Sequence, residues 1–251
     1  MRRPTIFRLP ALLLAPWLLA LGASWTPLHA QDSAPPPEAT PAPQATAAPQ
    51  SGQSGTRIPI PDIPEVKRQV REYYHSGQYD ADIAAVVAEA HAILQTHAWA
   101  ASDKPALVLD IDETSLSNWP FQDRTDFSYD QDKWKAWIVW AAADPIRPTL
   151  ELVRYAREQG IAVFFITGRP EAERKPTEQN LREAGYGDWE QLYMKPDGYK
   201  GKTVEFKTGS RQEIEKLGFR IVLNLGDQQS DLDGGHADKT LKLPNPFYRN
   251  P

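Results

Sequence analysis

The residues best equipped for chemistry fall in one short stretch, Lys104-Pro-Ala-Leu-Val-Leu-Asp110-Ile-Asp112-Glu-Thr114-Ser-Leu-Ser-Asn118. Ala106 to Leu109 has the length and apolar character of a buried strand, and it ends in two carboxylates one residue apart. In an open α/β sheet, ligands gather beyond the carboxyl ends of the strands. Of two aspartates delivered to that edge, one can sit in line with a reacting phosphorus while the other manages a proton. Two aspartates after a strand can equally cap a loop or a following helix, so the chemical reading needs partners elsewhere in the chain.

Three further places supply them. Ile161-Ala-Val-Phe-Phe-Ile166 is a second apolar run ending in Thr167-Gly168-Arg169-Pro170, a hydroxyl, a glycine amide and a cation suited to a phosphate. Phe206-Lys207 leads into a helix expected to begin near Thr208 or Ser210, with Glu213 at capping-box spacing from Ser210. Lys207 is therefore expected beside a helix N-terminus, where an anion is favoured. Phe219 to Leu225 reads as another strand and ends in Gly226-Asp227-Gln-Gln-Ser230-Asp231. Oxygen donors without His or Cys suit a hard cation such as Mg²⁺. With Lys207 and the cation neutralising the phosphoryl oxygens, Asp110 can attack phosphorus to give an aspartyl-phosphate.

The elements that must position these groups are legible at lower resolution. Asp62-Ile-Pro-Glu65 predicts a helix start, with Asp62 as N-cap and Glu65 reaching back; Val66, Val70, Tyr73 and Tyr74 then share a face, and Gly77 ends the run. A second helix from Asp80 carries Ile83, Val86, Val87, Ala90, Ile93, Leu94 and His97 at helical spacing. His97 reads as a hydrogen-bonded core histidine, since no second ligand sits at metal spacing. Lys133 to Ala143 bears a stripe of Trp134, Trp137 and Trp140 directly after the first loop, where a cap over the site would be inserted. Such a stripe is more often core than binding surface, and Trp119, Phe121 and Trp140 stand as candidate substrate-wall residues. Helices are also expected over Pro148 to Gln159 and Pro176 to Ala184, a short strand at Leu192 to Met194, and a final edge strand from Leu241.

Composition bounds the rest. A net charge of −5 argues against a nucleic-acid polymer as partner, and 41% hydrophobic residues suit one globular core. The absence of cysteine excludes disulfides, thiolate metal sites and a cysteine nucleophile. Residues 1–30 read as a cleavable secretory signal, with Arg2, Arg3 and Arg8 before the apolar run Ala11 to Ala23 and a small residue at Ala30. The run is too short, and broken by Pro16, for a stable membrane anchor. Residues 31–57, rich in Pro, Ala and Gln, read as a disordered tether. The expected destination is the periplasm or the medium.

From about Val66 to Tyr248 the chain resembles the haloacid dehalogenase superfamily, specifically its subfamily IIIB acid phosphatases, which include plant vegetative storage proteins and bacterial acid phosphatases. The resemblance is carried by Asp110 to Asn118, Phe165 to Arg169, Thr177 to Leu181 with Ala184-Gly-Tyr186, Lys207 with Arg211 and Gly218, Gly226 to Asp231, and Lys242-Leu-Pro-Asn-Pro-Phe-Tyr248. It implies an α/β fold over residues 58–251. A Rossmann-like parallel sheet of the haloacid dehalogenase type would be flanked by helices, with an N-terminal helical extension (58–102) and a small helical cap (115–147). Asp110 would be the nucleophile, and Asp112 the acid toward the leaving alcohol and then the base toward water. Thr167, the Gly168 amide and Lys207 would hold phosphate, the last favoured over Lys195, Lys200 and Lys202 by its spacing to Arg211 and Gly218. Mg²⁺ would be held by Asp110, the Asp112 carbonyl and Asp227, with Asp231 ligating or orienting a water. Arg169 matches the pattern without an assigned contact and is grouped with the substrate wall.

The implied activity is Mg²⁺-dependent hydrolysis of small phosphomonoesters with an acidic optimum. Some storage members lack the nucleophilic aspartate, which this chain keeps. The alternatives are a non-catalytic storage or binding protein on the same scaffold, or phosphotransfer to alcohol acceptors.

Overall fold

The computed structural model describes residues 60–96, 100 and 102–250. The signal and tether readings and the His97 reading lie outside the described residues. No described helix is long and apolar enough to cross a membrane.

The core is a five-stranded, all-parallel sheet: β1 (Pro105–Leu109), β4 (Ala162–Pro170), β5 (Gln191–Lys195), β6 (Arg220–Gly226) and β7 (Thr240–Lys242), in the order β5-β4-β1-β6-β7. β1 is central. The chain winds outward on one side through β4 and β5, then returns to the other side through β6 and β7. The strand order therefore reverses between β1 and β6, the position at which a doubly wound sheet opens a ligand crevice.

Side chains alternate across this sheet. Leu107, Leu109, Val163, Phe165, Leu223 and Leu225 pack on one face, with the helices α2 (Gln78–Thr96) and α5 (Arg147–Glu158). Ala106, Val108, Phe164, Ile166 and Ile221 pack on the other, with Ile214 of α7 (Thr203–Lys216). The same alternation turns the residue after Leu109, Asp110, toward the α7 side.

α1 (Ile63–His75) opens as the sequence predicts, Asp62 Oδ1 accepting from the Glu65 amide at 2.8 Å. Glu65 does not reach back; its carboxylate is taken by Arg68 at 2.8 Å. α2 begins at Gln78, two residues before expectation, and buries Ile83, Val87, Ala90 and Leu94. Gly77 between the two helices adopts φ +83°, a conformation that favours glycine.

Between β1 and α5 the chain makes an excursion. β2 (Leu116–Ser117) and β3 (Asp144–Pro145) pair antiparallel at its base, and α3 (Trp119–Arg124) and α4 (Gln131–Trp140) lie between them. α6 (Arg174–Glu183) and the turn after it pin that base. The Asn180 carboxamide both donates to Ala143 O (2.8 Å) and accepts from Ala143 N (3.1 Å), and Tyr186 Oη donates to Ser115 O (2.9 Å).

Thr167-Gly168-Arg169 closes β4, in keeping with the strand end expected there, and β5 runs on to Lys195 and pairs with it across a bulge between Thr167 and Pro170. One expectation is corrected. α7 begins at Thr203, not near Thr208 or Ser210. The cap is Lys202, whose amide donates to Glu205 at 3.1 Å. Lys207 therefore stands inside the helix, one turn before the buried Arg211.

Candidate active site

The site is built at the carboxyl edge of β1, β4 and β6. In register, Leu109 lies beside Phe165 on one side and Leu225 on the other, and the Asp110 amide donates to Leu225 O at 3.0 Å. Asp110 is thus fixed by backbone continuation of the sheet, while Asp227 follows the end of β6. Gly226 permits the approach of the next turn: a Cβ there would lie 2.4 Å from the Asp231 Cβ. α8 (Gln229–Leu232), a single turn not legible in the sequence, carries Asp231 back over that glycine.

Asp110, Asp227 and Asp231 are all buried, and each offers a carboxylate oxygen within 4.8 Å of the others'. Lys207 joins them from α7, its Nζ 2.5 Å from Asp110 Oδ1 and 2.6 Å from Asp231 Oδ1. Burial alone would pull the ammonium down, yet Asp110 and Asp231 hold it above its ordinary value. Three carboxylates against one ammonium leave two uncompensated negative charges when all are ionised. Burial, then the Asp231 and Glu113 charges, push Asp227 up to about 7. Asp110 is likewise held well above the carboxylate range, by burial and the neighbouring aspartates and in spite of Lys207. An all-oxygen donor set with a deficit of two positive charges fits a hard divalent cation.

Asp112 faces a different environment. Arg169, buried at the end of β4, reaches Asp112 Oδ1 at 2.6 Å and Oδ2 at 3.1 Å, and Asn118 Nδ2 donates to Oδ1 at 2.9 Å. Burial would raise Asp112, but the Arg169 charge and these hydrogen bonds hold it below the usual range. Arg169 is oriented in turn by Thr177 Oγ1 at 3.1 Å. The two aspartates of the first motif are therefore set apart electrostatically.

A cavity of about 550 Å³ opens over both aspartates. Its walls include Phe121 of α3, Trp134 and Lys135 of α4, and Phe127 and Tyr129 between these helices. Gly168, Arg169, Lys195, Thr203 and Lys207 line it from the sheet edge and α7. Thr167 is fully buried beside it, its Oγ1 accepting from the Arg169 amide at 3.2 Å.

Of the residues singled out in the sequence, Asp110, Asp112, Gly168, Arg169, Lys207, Asp227 and Phe121 thus line one cavity, and Asp231 meets Lys207 beneath it. Two of the expected wall residues do not. Trp119 is packed into the core, stacked on Tyr74 of α1 at 3.8 Å, while Trp140 lies on the outside of α4 and is 62% exposed. On the six-residue α3, Trp119 and Phe121 are two positions apart and so point in nearly opposite directions. The aromatic side chains of α1 capture the first.

Sequence reasoning missed several groups. Glu113, fully buried in a left-handed conformation (φ 54°), accepts from the Asn118 amide at 2.8 Å and from Tyr248 Oη, and burial with the Asp112 charge pushes it up to about 7. Asn118 also accepts from Trp137 Nε1 at 2.8 Å, tying the first loop to α4. Both residues stood within the first motif, which was the available signal. Lys195, weighed in the sequence only as a rival to Lys207, donates to Thr203 at 2.8 Å, and Asn245, within the Lys242–Tyr248 motif but given no role there, donates to Asp227 at 2.7 Å.

Residues 56–251 match the family described as HAD superfamily, subfamily IIIB (Acid phosphatase). The chain is 33% identical over 196 residues to Acid phosphatase 1 of Solanum lycopersicum, covering 76% of this chain and 77% of that protein. It is 31% identical over 201 residues to Vegetative storage protein 2 of Arabidopsis thaliana, covering 76% of each. Among solved structures, the class C acid phosphatase from Bacillus anthracis is similar with a TM-score of 0.63 at 25% identity, over 74% of this chain and 86% of that one.

Proposed function

The chain belongs to the acid phosphatases of HAD superfamily subfamily IIIB. On that premise we propose that it is an exported, Mg²⁺-dependent enzyme that hydrolyses small phosphomonoesters through an aspartyl-phosphate on Asp110. The observation that carries this reading is the contact of Lys207 with Asp110 at the end of the central strand, among further carboxylates and beneath an open cavity.

Asp110, Asp227, Asp231 and the Asp112 carbonyl would hold the cation, which when bound supplies the positive charge that this set lacks. A carboxylate oxygen of Asp110 forms a bond to phosphorus as the bond from phosphorus to the ester oxygen breaks, and the Asp112 carboxyl gives that oxygen its proton. Thr167, the Gly168 amide and Lys207 hold the remaining phosphoryl oxygens. Asp112, now a carboxylate, takes a proton from water. The water oxygen bonds to phosphorus, the Asp110–phosphorus linkage breaks, and inorganic phosphate leaves with both aspartates restored.

The Arg169 contact gives a physical reason for acidic operation. A guanidinium against Asp112 keeps it ionised, whereas the first step needs it protonated, so rate should fall as pH rises through the depressed Asp112 pKa. In Arg169→Gln that cation is absent, Asp112 holds its proton to higher pH, and the falling limb of kcat/KM should move upward by about 1–3 pH units. A limb that stays in place would assign it to another group.

The direct experiment is phosphate release from p-nitrophenyl phosphate and a panel of nucleoside and sugar monophosphates at acidic pH, with Mg²⁺ and with chelator. Cation-dependent release that chelator removes is expected. The intact mass of the exported chain, starting at Gln31, is the matching readout for export. A second reading is suggested by the similarity to a vegetative storage protein: a folded chain that binds the cation yet turns over no ester would favour storage.

A further inference from the structure

One motif has no part in the chemistry above: Lys242-Leu-Pro-Asn-Pro-Phe-Tyr248, which follows β7. We infer that this segment is a strap that sets Asp227 for the cation, with Asn245 as the positioning residue and Phe247 as its anchor. The inference rests on the reading that Asp227 holds the cation.

Leu243 N donates to Gly226 O at 2.9 Å, which carries the tail along the end of β6 to the point where Asp227 emerges. There Asn245 uses both ends of its carboxamide. Its Oδ1 accepts from the Phe247 amide at 2.9 Å and from the Tyr248 amide at 3.4 Å. The NH₂ is thereby left to face Asp227, and it donates to Oδ2 at 2.7 Å. Gln228 Nε2 donates to the same oxygen at 2.5 Å. Two amide donors on Oδ2 leave Oδ1, which receives only the Thr114 hydroxyl at 3.2 Å, as the less occupied oxygen. Outer-shell donors of this kind fix the orientation of a ligating carboxylate.

The strap is held at its far end by the N-terminal helices and α3. Phe247 is buried with its ring 5.3 Å from Tyr79, 5.3 Å from Trp119 and 6.2 Å from Tyr74. Pro244 and Pro246 flank Asn245 and restrict its backbone and their own, which lowers the entropy lost when the turn forms. Tyr248 Oη then donates to Glu113, whose other oxygen receives the Asn118 amide, and Asn118 Nδ2 reaches Asp112. One short segment thus touches the supports of two carboxylates that arrive from different strands.

The test uses Mg²⁺ as the probe and the thermal unfolding midpoint as the readout, titrated for the wild-type chain and for Asn245→Ala. A positioning role predicts that the Mg²⁺ concentration giving half of the stabilisation rises about 10–100-fold in the variant. A packing role alone would lower the midpoint equally at every Mg²⁺ concentration, and that result would overturn the inference. A second measurement needs no variant. Coupling is reciprocal, so Mg²⁺ should slow hydrogen exchange at the Phe247 and Tyr248 amides of the wild-type chain, and unchanged exchange there would overturn it too. A wild-type chain whose unfolding ignores Mg²⁺ altogether would instead remove the cation reading, and the strap's role with it.

Discussion

Replacing Asp110 with asparagine should lower phosphate release by at least ~10⁴-fold while the chain stays folded. The amide has the carboxylate's shape but is a poor nucleophile, so the cavity is kept and the proposed attacking group is lost. Stability should move little, and in the absence of cation it should rise. Asp110 is buried among Asp112, Asp227 and Asp231, which together with burial hold it well above the carboxylate range despite Lys207, so a neutral side chain relieves repulsion there. Lys207 keeps Asp231 as its partner at 2.6 Å. Phosphate release and thermal unfolding with and without Mg²⁺ would be measured together. Acid-quenched samples should contain protein-bound phosphate for the wild type and none for the variant. Turnover within tenfold of wild type would place the nucleophile elsewhere.

Lys207→Met should damage both stability and activity, and the two losses should respond differently to the cation. Methionine preserves much of the buried stem but leaves Asp110 and Asp231 without their shared ammonium. Breaking a buried ion pair by removing one partner destabilises by about 3–5 kcal/mol. Without Mg²⁺ the variant should lose stability on that scale, measured by denaturant unfolding at neutral pH. Mg²⁺ should recover a good part of it, because the cation supplies positive charge to the same carboxylates. Activity should not recover to the same degree, since the ammonium proposed to hold the phosphoryl oxygens is gone. A loss of about 10²–10³-fold in kcat is expected at saturating Mg²⁺. A variant as stable as wild type without cation would show that Lys207 does not balance this cluster.

How much of this was legible in the sequence depends on the distance over which each residue is determined. The strand ends were legible, because a parallel sheet buried on both faces needs short apolar runs, and Asp110, Thr167 and Asp227 each follow one closely. Register did the rest, aligning Leu109 with Phe165 and Leu225, which no local pattern encodes. The start of α7 was misplaced because two capping patterns compete there. Lys202 with Glu205 prevails over Ser210 with Glu213 because the longer helix also seats Phe206 against the sheet. The pairing of Arg169 with Asp112 spans two strands and was invisible, although both residues stood in recognised motifs. Trp119 and Trp140 were misassigned for a related reason. Which face of a short helix looks into a cavity is decided by what covers the other faces. Here that is Tyr74 of α1 for Trp119, whereas Trp140, flanked by Trp137 and Arg124, stays largely exposed.

The paired ends of the excursion between Ser117 and Asp144 bear on how the fold tolerates change. Ser117 lies opposite Asp144, so the chain leaves and re-enters the sheet layer at neighbouring points. Lengthening a loop whose ends are already tied adds only slowly to its closure entropy, about 0.6 kcal/mol for each doubling. No sheet strand lies within it, and the links to Asn180 and Tyr186 are to its base rather than its crown. The segment is in effect an exchangeable lens mount. Its exposed lining, such as Tyr129, can be redrawn by insertion or deletion while Asp110 and Asp227 stay where the parallel strands have placed them, as long as Trp137 keeps its bond to Asn118, which supports Asp112.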